Sequence, residues 1–492
     1  MTRDLASAFL ALSRRWPNNP AIESASQKLT YMEMMKSAGA MADILAIQNI
    51  KAGSRIGIAL SRNEDAFIIM LAVWLLGATV LVTDFRSRAA ERRKLAETLD
   101  LEFFVEDRPA PGVGEYPAFR LDVNVLYEGL NERPLPHPPG MDASPIAVIG
   151  ISSGTSGMPQ PVALSHECLF ARYAIARMSP QWNVGGRFAV SAPLAFSATR
   201  KHVISRLLDG GTVIFLPLMV SAHEFAEFVI STKADAVLMV PSILRELLPL
   251  APPNGVLFPH VSWLMSCGAP MLPQEKLDAR SRLSSGFVQN YGSTMAGMVT
   301  MLETHDIDLH ADSVGRPLPH VLVEIVDAEG NQLPAGEAGI IRIRTPGTAE
   351  NLPGKGDLSA RQSDLIIDGW VYPGDIGYLD QDGFLTIVAR SSDVIIRGGV
   401  NVFPSEVEEI LAGHAAVEEA AVVGWPDPLL GEEIAAFVVL KEHATPQEII
   451  AWCRSRIQPD KQPREIFIVQ AMPRNANGKL IRRDLVASLT ER

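Results

Sequence analysis

The sequence predicts an α/β protein in which a large N-terminal domain precedes a smaller, mobile α+β domain. Strand-like apolar runs alternate with helical patterns from Ala21 onwards, which is typical of layered sheets of mostly parallel strands. Short alternating strands separated by turns then run from Gly315 to Arg390 and predict a small antiparallel β subdomain. Beyond this point, two capping-box patterns with strand-like runs between them indicate a compact module. We therefore place the domains at residues 1–390 and 391–492.

The composition narrows the class of protein. Of the 492 residues, 47% are apolar and 20% are charged, and the net charge is −12. These values are typical of an acidic globular protein and argue against a nucleic-acid groove. Cys168, Cys267 and Cys453 are far apart, which fits a reducing compartment and neither a disulfide framework nor a metal site. The N-terminal residues lack the pattern of a signal peptide, and we expect a cytoplasmic monomer or homodimer.

One uncharged stretch, Ala66–Thr83, has the length at which a membrane-spanning helix becomes conceivable. However, Gly77 divides it, and the residues that follow are rich in β-branched side chains. A buried helix followed by a buried strand explains the same residues. We therefore expect no membrane span.

The remaining elements follow in chain order. A periodic segment from Leu29 to about Ile47 predicts a helix, Arg55–Leu60 predicts a strand, and a charged helix is expected near Ala89–Thr98. Residues 108–144, rich in Pro and Gly, are expected to be a surface connection. Later strand-like runs are Pro145–Ser152, Ala189–Phe196, Gly211–Pro217, Ala236–Val240, Val261–Pro270 and Gly286–Thr294, and helices are expected near Ala222–Thr232 and from Ser242.

The run Ser152–Gly157 has the composition of a phosphate-binding loop. Four hydroxyl side chains and two glycines fill its six positions, directly after a strand-like run. Glycines allow the backbone to approach a ligand closely, and successive N–H groups in a turn can bind an anion. Because ligands bind at the carboxyl ends of parallel strands, we expect the loops at 152–157, 267–270 and 291–294 to share one face.

Read together, these segments resemble the superfamily of AMP-forming adenylating enzymes, which includes acyl-CoA synthetases, firefly luciferase and peptide-synthetase adenylation domains. The resemblance covers nearly the whole chain, is strongest to acyl- or aryl-CoA synthetases, and depends on eight motifs in the expected order. They are Ser152–His166, Pro193–Phe196, Ser266–Pro270, Tyr291–Met295, Gly374–Asp375, Arg390, Gly398–Glu408 and Pro473–Lys479.

The resemblance implies an ATP-dependent carboxylate–CoA ligase. ATP would activate the acid to an acyl-AMP with release of pyrophosphate, and the CoA thiol would then displace AMP. Lys479 would bridge the carboxylate and the α-phosphate, Thr294 would reach the phosphate, Asp375 would bind the ribose and Tyr291 would stack on adenine. The other nucleotide- or CoA-binding positions would be Ser152, Ser153, Gly154, Thr155, Ser156, Gly157, Gly268, Ala269, Pro270, Asn290, Gly292, Ser293, Arg390, Gly398 and Gly399.

Three positions depart from the family pattern. Gln160-Pro161 stands where the phosphate loop usually carries Lys-Gly, so a cationic contact is lost. Met295 stands where the family has the Glu that holds Mg²⁺, and a thioether is a poor ligand for this cation. Mg²⁺ would then depend on the phosphates, water and Thr155. Ser392 replaces the usual Asp or Lys at the hinge between the domains.

By the same resemblance, the acyl pocket would be formed by small or apolar residues: Phe196, Cys267, Met295, Ala296 and Gly297. With no charged side chain expected there to pair with a second carboxylate or an amine, an aromatic or medium-length aliphatic acid is the favoured substrate. Adenylation domains that select amino acids usually place an Asp near Phe196, and residues 193–199 contain none.

Three alternatives remain open on the sequence. The acceptor could be the phosphopantetheine of a carrier protein instead of CoA. The losses at Gln160 and Met295 could also mark a weakened relative that binds nucleotide or acyl-adenylate with little turnover. Finally, Gly150-Ile-Ser-Ser-Gly154 satisfies the serine-hydrolase pattern G-x-S-x-G. That pattern needs a helix directly after the serine, whereas Pro159 and Pro161 follow here.

Overall fold

The computed structural model describes residues 4–140, 143–152, 160–179, 182, 185–218, 220–352, 365–398, 400–474 and 480–490. Its α-helices are α1 (Leu5–Arg15), α2 (Tyr31–Ile47), α3 (Asn63–Leu75), α4 (Ala89–Leu99), α5 (His166–Arg177), α6 (Ser197–Leu208), α7 (Ala222–Ser231), α8 (Pro241–Leu247), α9 (Pro273–Asp278), α10 (Ile307–His310), α11 (Pro404–Ala412), α12 (Pro446–Arg454) and α13 (Arg482–Thr490).

The strands fall into four sheets. They are β1 (Pro20–Ser24), β2 (Lys28–Thr30), β3 (Arg55–Ala59), β4 (Thr79–Val82), β5 (Phe103–Glu106), β6 (Ala118–Arg120), β7 (Ile146–Ser152), β8 (Gln160–Ser165), β9 (Arg187–Val190), β10 (Thr212–Phe215), β11 (Ala236–Met239), β12 (Trp263–Cys267), β13 (Phe287–Ser293), β14 (Gly297–Leu302), β15 (Arg316–Pro317), β16 (Leu322–Val326), β17 (Gly339–Arg344), β18 (Ile366–Ile367), β19 (Trp370–Val371), β20 (Asp375–Leu379), β21 (Leu385–Arg390), β22 (Ile395–Arg397), β23 (Val400–Val402), β24 (Val417–Asp427), β25 (Gly431–Leu440) and β26 (Glu465–Ile468).

Two large sheets of mixed strands form most of the N-terminal part. The first has the order β15-β14-β13-β12-β11-β9-β10-β1-β2, and its central strands from β13 to β1 are parallel. The second has the order β6-β5-β3-β4-β7-β8 and is parallel except for the β7–β8 pair. One apolar cluster contains residues of both sheets and of the helices α1, α2 and α3, so a shared core joins the two layers.

The uncharged stretch Ala66–Thr83 is a buried helix and a buried strand, as predicted. All thirteen residues of α3 are buried, and so are the four of β4. Gly77 lies in the turn between them at φ +69°, a conformation that favours glycine. Among the described residues, no helix has both the length and the apolar character needed to cross a lipid bilayer.

The third and fourth sheets belong to the later part of the chain. Strands β16 to β21 form an antiparallel sheet, which confirms the predicted subdomain, and β22 to β26 form a separate sheet of residues beyond Ile395. Two details of the prediction are wrong. Arg316-Pro317 pairs with β14 in the first sheet, and the connection 108–144 contains β6, which extends the second sheet beside β5.

One of the two predicted capping boxes in the C-terminal part is present. Thr445 caps α12 and exchanges hydrogen bonds with Glu448, with Pro446 at the first helical position. The prediction for Ser405 is wrong, because proline fits the first helical position and α11 therefore begins at Pro404. The Ser405 hydroxyl instead donates to the Val388 carbonyl of β21, which links the antiparallel subdomain to α11.

Candidate functional site

The predicted phosphate loop connects two paired strands. Ser152, the last residue of β7, pairs with Gln160, and Gly150 pairs with Val162. Of the predicted loop residues, Ser153, Gly154, Thr155, Ser156 and Gly157 lie outside the described residues. The next described element after β7 is a strand, whereas a nucleophile elbow requires a helix after the serine. This pairing argues against the serine-hydrolase alternative.

The motif Tyr291–Met295 lies at the β13–β14 hairpin. The strand-like run Gly286–Thr294 is confirmed as β13, which continues to Ser293 with a bulge at Gly292, so most of the loop expected at 291–294 belongs to the strand. The Ser293 hydroxyl accepts a hydrogen bond from the Ala296 N–H at 3.0 Å and closes the turn. A Cβ atom at Gly292 would lie 2.1 Å from the Gly297 carbonyl oxygen, so the hairpin requires glycine there.

The ends of β7 and β13 meet although the two strands belong to different sheets. A Cβ atom built on Gly150 would lie 3.0 Å from the Thr294 methyl group, which places Thr294 directly against β7. In the described part of the chain, the Thr294 hydroxyl has no hydrogen-bond partner. We expected the loops to share one face. Thr294 and the end of β7 do lie together, but their strands belong to two different sheets and not to one open parallel sheet. Their proximity comes from two sheets packed on a common core.

Arg172 of α5 positions the hairpin and was not singled out from the sequence. It is 3% exposed, and its guanidinium donates to the main-chain carbonyls of Gly347 at 2.8 Å, Thr294 at 2.9 Å and Met295 at 2.8 Å. Burial lowers the pKa of this side chain. Its position in α5 looks like that of a surface arginine, so only the packing of the helix reveals its role.

Asp375, the predicted ribose-binding residue, lies at the centre of a polar cluster. The Tyr291 hydroxyl donates to one carboxylate oxygen at 2.5 Å, and Arg390 Nε contacts the other at 2.8 Å. Asp375 and Arg390 face each other across β20 and β21, and Arg390 also donates to the Pro373 carbonyl at 2.8 Å. Burial and the charge of Asp375 raise the pKa of Tyr291 well above its usual range, so its hydroxyl stays a donor.

The residues predicted on the adenine side lie at the ends of β12 and β13. Asn290 pairs with Cys267 across β13 and β12, and its side-chain amide donates to the carbonyls of Tyr291 and Thr300 at 3.0 and 2.6 Å. Gly268 follows β12 at φ +94°, and a Cβ there would lie 3.1 Å from the Phe196 ring. Ala269 is half-buried and Pro270 is exposed, so this loop borders the solvent.

The predicted acyl-pocket residues are brought close together. Cys267, Met295 and Ala296 are buried, Phe196 packs against the same apolar cluster, and Gly297 has φ +79° beside Arg172. Lys201 of α6 is also buried, and its positive charge opposes the rise in the pKa of Cys267 that burial causes. The expectation that no charged side chain faces the acyl group stays a prediction.

The residues predicted in the C-terminal domain are described only in part. Gly398 has φ +58° and its N–H donates to the Leu430 carbonyl at 2.7 Å. The hydroxyl of Ser392 donates to Asp393 in a short exposed turn after Arg390. Gly399 and Lys479 lie outside the described residues.

The donor set does not fit a metal ion held by the protein. Met295, which the resemblance aligns with the family's carboxylate, is 4% exposed and offers only a thioether, a poor ligand for Mg²⁺. Within the described ranges, no group of three or more His, Cys, Asp or Glu side chains could hold a metal ion. What these residues can do is bind a ribose at Asp375, hold a phosphate near Thr294, and accept an acyl group beside Phe196 and Cys267.

The curated proteins whose sequences resemble this chain include ligases. The chain is 27% identical over 489 residues to the fatty acid–[acyl-carrier-protein] ligase ScoC of Streptomyces coeruleorubidus, covering 95% of this chain and 93% of the relative. It is also 27% identical over 481 residues to a 2-succinylbenzoate–CoA ligase of Bacillus licheniformis, covering 95% and 97%.

Solved structures share the fold along its length. ATP-bound MatB from Rhodopseudomonas palustris superposes with a TM-score of 0.88 at 23% identity, covering 100% of this chain and 99% of the other. The o-succinylbenzoate CoA synthetase MenE from Bacillus subtilis, in complex with its acyl-adenylate intermediate, gives 0.85 at 23% identity, with 97% of both chains covered. Both have the large N-terminal and small C-terminal domains predicted here.

Family models match both parts of the chain. Residues 9–351 match the AMP-binding enzyme model, and residues 406–479 match the model of its C-terminal domain. These matches confirm the resemblance that the eight motifs indicated, and with it the prediction of an ATP-dependent, AMP-forming ligase. The chain belongs to the AMP-binding enzyme family.

Proposed function

We propose that this protein is an AMP-forming acyl- or aryl-CoA ligase. The main observation behind the proposal is that three features lie near one another. They are the β7–β8 hairpin, the β13–β14 turn with Thr294, and the Asp375 cluster. Together they offer separate places for the phosphates, the reacting carboxylate and the ribose of one ATP molecule. Accurate placement of two anions is what adenylation requires of an enzyme.

In the first half-reaction, a carboxylate oxygen of the acid attacks the α-phosphorus of ATP. The bond from that phosphorus to the bridging oxygen of the β-phosphate breaks, and pyrophosphate leaves. Asp375 accepts hydrogen bonds from the ribose hydroxyls, while Tyr291 and Arg390 hold its carboxylate in place. The Thr294 hydroxyl donates to a phosphate oxygen, and Lys479 neutralises charge between the two reacting groups.

In the second half-reaction, the CoA sulfur attacks the acyl carbonyl carbon, the carbon–oxygen bond to AMP breaks, and AMP leaves. The C-terminal domain, which we place from residue 391, would turn about Ser392 to present Gly398 and Gly399 to the pantetheine. Gly398 supports this role because its positive φ favours glycine, and a Cβ there would lie 3.3 Å from the Leu430 side chain. Small residues suit a narrow channel for the pantetheine arm.

In this proposal, Mg²⁺ binds as part of MgATP and not at a separate protein site. The family's carboxylate is absent at Met295, and Thr155 is left as the one protein ligand that the sequence suggests. We therefore assign the ion to the nucleotide phosphates and derive no step through it. MenE from Bacillus subtilis has been solved with ATP and a magnesium ion, which supports MgATP as the form that the fold accepts.

The acceptor distinguishes the main proposal from its nearest alternative. A carrier-protein phosphopantetheine is the alternative acceptor, and the similarity to ScoC, an acyl-carrier-protein ligase by name, is the observation that favours it. The 2-succinylbenzoate–CoA ligases favour CoA. A cytoplasmic location stays part of the proposal, supported by Cys168, Cys267 and Cys453, which are all buried and free.

The test is pyrophosphate release with MgATP and a panel of carboxylic acids, followed by transfer to CoA or to a pantetheinylated carrier protein. We expect acid-dependent release and a fall of about a hundredfold or more in kcat for Lys479→Ala, as for removal of one oxyanion contact. Lys441→Ala, which removes an exposed lysine of the same domain, is the control. No release above background with any acid would favour the weakened relative, and would contradict both ligase forms.

A further inference from the structure

The residues on the two sides of the segment that ends at Lys479 are paired with each other. Arg474 and Leu480 form an antiparallel bridge, and the Ile481 N–H donates to the Pro473 carbonyl at 2.9 Å. Lys479 itself lies outside the described residues. Because consecutive Cα atoms are about 3.8 Å apart, the position of Leu480 limits where the backbone of Lys479 can lie. The contacts that fix Leu480 and Ile481 therefore bear on the predicted catalytic lysine.

Arg482, the first residue of α13, ties this bridge to the rest of the C-terminal domain. Its Nη2 group donates to the Glu408 carboxylate of α11 at 2.5 Å, and its Nε group donates to the Val422 carbonyl of β24 at 3.2 Å. The Glu408 carboxylate also accepts from the Val422 N–H at 2.8 Å. On the other side of the bridge, Arg474 pairs with Glu419 of the same strand. Arg482 thus joins the start of α13 to a helix and a strand at once.

The same guanidinium lies close to the turn that follows the predicted hinge. Arg482 Nη1 is 3.9 Å from one carboxylate oxygen of Asp393, and the other oxygen accepts from the Ser392 hydroxyl at 2.9 Å. Ser392 is the predicted hinge residue, and Arg482 follows Lys479 by three positions in the sequence. Polar contacts therefore extend from the predicted hinge to the residues beside the predicted catalytic lysine.

The Arg482–Glu408 pair is suited to orienting this segment. A guanidinium is planar and presents its donors in fixed directions, so one arginine can hold several acceptors in one geometry. The two side chains are 27% and 20% exposed, and partly buried pairs are screened less than surface pairs. Apolar contacts secure the fold separately, because Leu480 packs against a cluster that contains Met472 and Leu485. Loss of Arg482 should therefore alter the placement of the bridge more than the folding of the domain.

We propose that Arg482 is a positioning residue for the adenylation step, which anchors the segment beside Lys479 to α11 and to the turn after Ser392. This inference depends on the proposed ligase function and deepens it. Arg482 contacts neither substrate and acts through Lys479. Adenylation requires accurate placement of the reacting groups, and a displacement of about 1 Å can slow a reaction by about a hundredfold. The competing interpretation is an ion pair that only stabilises the domain.

The first experiment separates the two half-reactions. Pyrophosphate release from MgATP, with the acid that reacts fastest in wild type, measures adenylation. Transfer from the chemically prepared acyl-AMP of the same acid, to CoA or to the carrier protein that wild type uses, measures thioester formation. We expect Arg482→Met to lower kcat for adenylation by about tenfold to a hundredfold. KM for ATP and the rate of thioester formation should stay at wild-type values, whereas a loss of domain folding would reduce both half-reactions.

A double variant tests the dependence on Lys479. If Arg482 acts only through the lysine, Lys479→Ala alone and combined with Arg482→Met should leave the same residual adenylation rate, because residues that act as a unit are not additive. Arg482→Lys keeps the charge without the planar fork and should recover part of the rate. Arg464→Met is the control and should behave as wild type. Arg464 belongs to the same domain, is 56% exposed and pairs with Asp427 at 3.4 Å.

Hydrogen exchange tests the anchoring without catalysis. In Arg482→Met, the Ile481 N–H that donates to Pro473 should exchange faster, while the amides of β25 keep their protection and the melting temperature changes little. Glu408→Gln keeps an acceptor and loses the charge, so it should change the exchange of Ile481 in the same direction by a smaller factor. A misfolded Arg482→Met variant leaves Arg482→Lys and Glu408→Gln as independent tests of both exchange and adenylation.

Three outcomes would overturn the proposal. The first is a folded Arg482→Met enzyme that loses adenylation and thioester formation equally or loses neither. The second is a double variant that is slower in adenylation than Lys479→Ala alone. The third is unchanged exchange of the Ile481 N–H in Arg482→Met. Failure of the ligase function itself looks different, since no acid would then release pyrophosphate in wild type, whereas the exchange experiment would still give its result.

Discussion

Tyr291 and Asp375 form the contact on which nucleotide binding is expected to depend most. Tyr291→Phe keeps the ring and removes the hydroxyl that donates to Asp375 at 2.5 Å. Loss of a hydrogen bond to a charged group costs about 1.5–3 kcal/mol, so KM for ATP should rise by roughly tenfold to a hundredfold. The measurement is KM for ATP in pyrophosphate release at saturating acid.

A second tyrosine provides the matched control for this substitution. The Tyr127 hydroxyl also donates to a buried carboxylate, that of Asp65 in α3, outside the candidate site. Tyr127→Phe should lower stability without changing KM for ATP. Equal effects of both substitutions on KM would contradict the assignment of Asp375 to the nucleotide.

Arg172 is expected to link stability to catalysis. Arg172→Met leaves the Thr294 carbonyl without its donor, whereas the Met295 carbonyl keeps the Ala349 N–H and the Gly347 carbonyl keeps the Cys168 thiol. One unsatisfied buried acceptor costs about 1–3 kcal/mol, so the free energy of unfolding should fall by about that amount. Adenylation kcat should fall as well, because the turn that carries Thr294 is no longer held. Urea unfolding and single-turnover adenylation measure the two effects.

Substitution of a buried arginine outside the candidate site provides a control that distinguishes an effect on stability from an effect on catalysis. Arg206 of α6 lies over the ring of Trp182 at 3.9 Å and over that of Trp263 at 4.8 Å. Arg206→Met is expected to change stability and to leave adenylation kcat near wild type. A folded Arg172→Met enzyme with unchanged kcat would remove Arg172 from the catalytic argument.

Some of these residues could be predicted from the sequence, and others could not, for a physical reason. Asp375, Tyr291 and Thr294 belong to motifs that follow one another along the chain in the order expected of the family, and this order made them recognisable. Arg172 and Lys201 stand in helices of mixed composition that look like solvent-exposed helices. Their burial follows from the packing of α5 against α6 in the described structure, and no local pattern encodes that contact.

At the level of single elements, α11 and α12 offer a matched pair. Both were predicted to begin with a capping box, and only Thr445 of α12 forms one. Thr445→Ala should lower the stability of the C-terminal domain by about 1 kcal/mol, which is typical for loss of a cap. The measurement is chemical unfolding followed by a probe confined to that domain, for example amide hydrogen exchange in α12.

Ser405→Ala should behave differently from Thr445→Ala. Because its hydroxyl donates to Val388 and caps no helix, its loss should not reduce the helicity of α11. The effect is expected in the contact between α11 and β21, seen as faster hydrogen exchange at the end of that strand. Loss of helix at α11 on this substitution would restore the original prediction.

Hydrophobic periodicity predicted the strands but not which strands pair with each other. The apolar run before Ser152 was identified as a strand, and so was the run that ends at Thr294. Neither pattern showed that β8 returns antiparallel to β7, or that β13 and β7 belong to different sheets. Pairing partners depend on contacts between distant parts of the chain, which period-2 patterns do not specify.

For the whole molecule, two buried histidines are expected to shape acid stability. His202 of α6 lies among Trp182, Trp263 and Phe188, and among the described atoms both of its ring nitrogens lack a partner. Burial lowers its pKa well below 6.5, and burial also lowers the pKa of His166 to about 4. The unfolded chain, with a histidine pKa of about 6.5, then binds protons that the folded chain does not.

Stability should therefore fall as the pH drops below about 6.5, by up to about 1.4 kcal/mol per pH unit for each histidine. His202→Phe keeps an aromatic ring, removes one titrating group and should make this loss shallower. Urea unfolding at a series of pH values from about 7.5 to about 5 measures the slope. His223→Gln, at an exposed position of α7, is the control, and a slope equal to wild type in His202→Phe would contradict the assignment.

The overall architecture was more predictable than the site. The family, the α/β class and the enzyme class are confirmed, because many weak signals along the chain agree. The domain boundary at Arg390 stays a prediction. The roles of the C-terminal residues also stay predictions, since Lys479 and Gly399 lie outside the described residues.

The cluster around Asp375 has one more consequence. Tyr291 and Arg390 hold both carboxylate oxygens before a nucleotide arrives, and the residue itself is only 4% exposed. Under the proposed function, the fold has already fixed the rotamer with which Asp375 would bind a ribose, so nucleotide binding would not have to order this side chain. Loosening this arrangement, for example in Tyr291→Phe, should appear in calorimetry mainly as a less favourable binding entropy. Preorganisation of Asp375 by the fold would in this way contribute to the affinity for nucleotide.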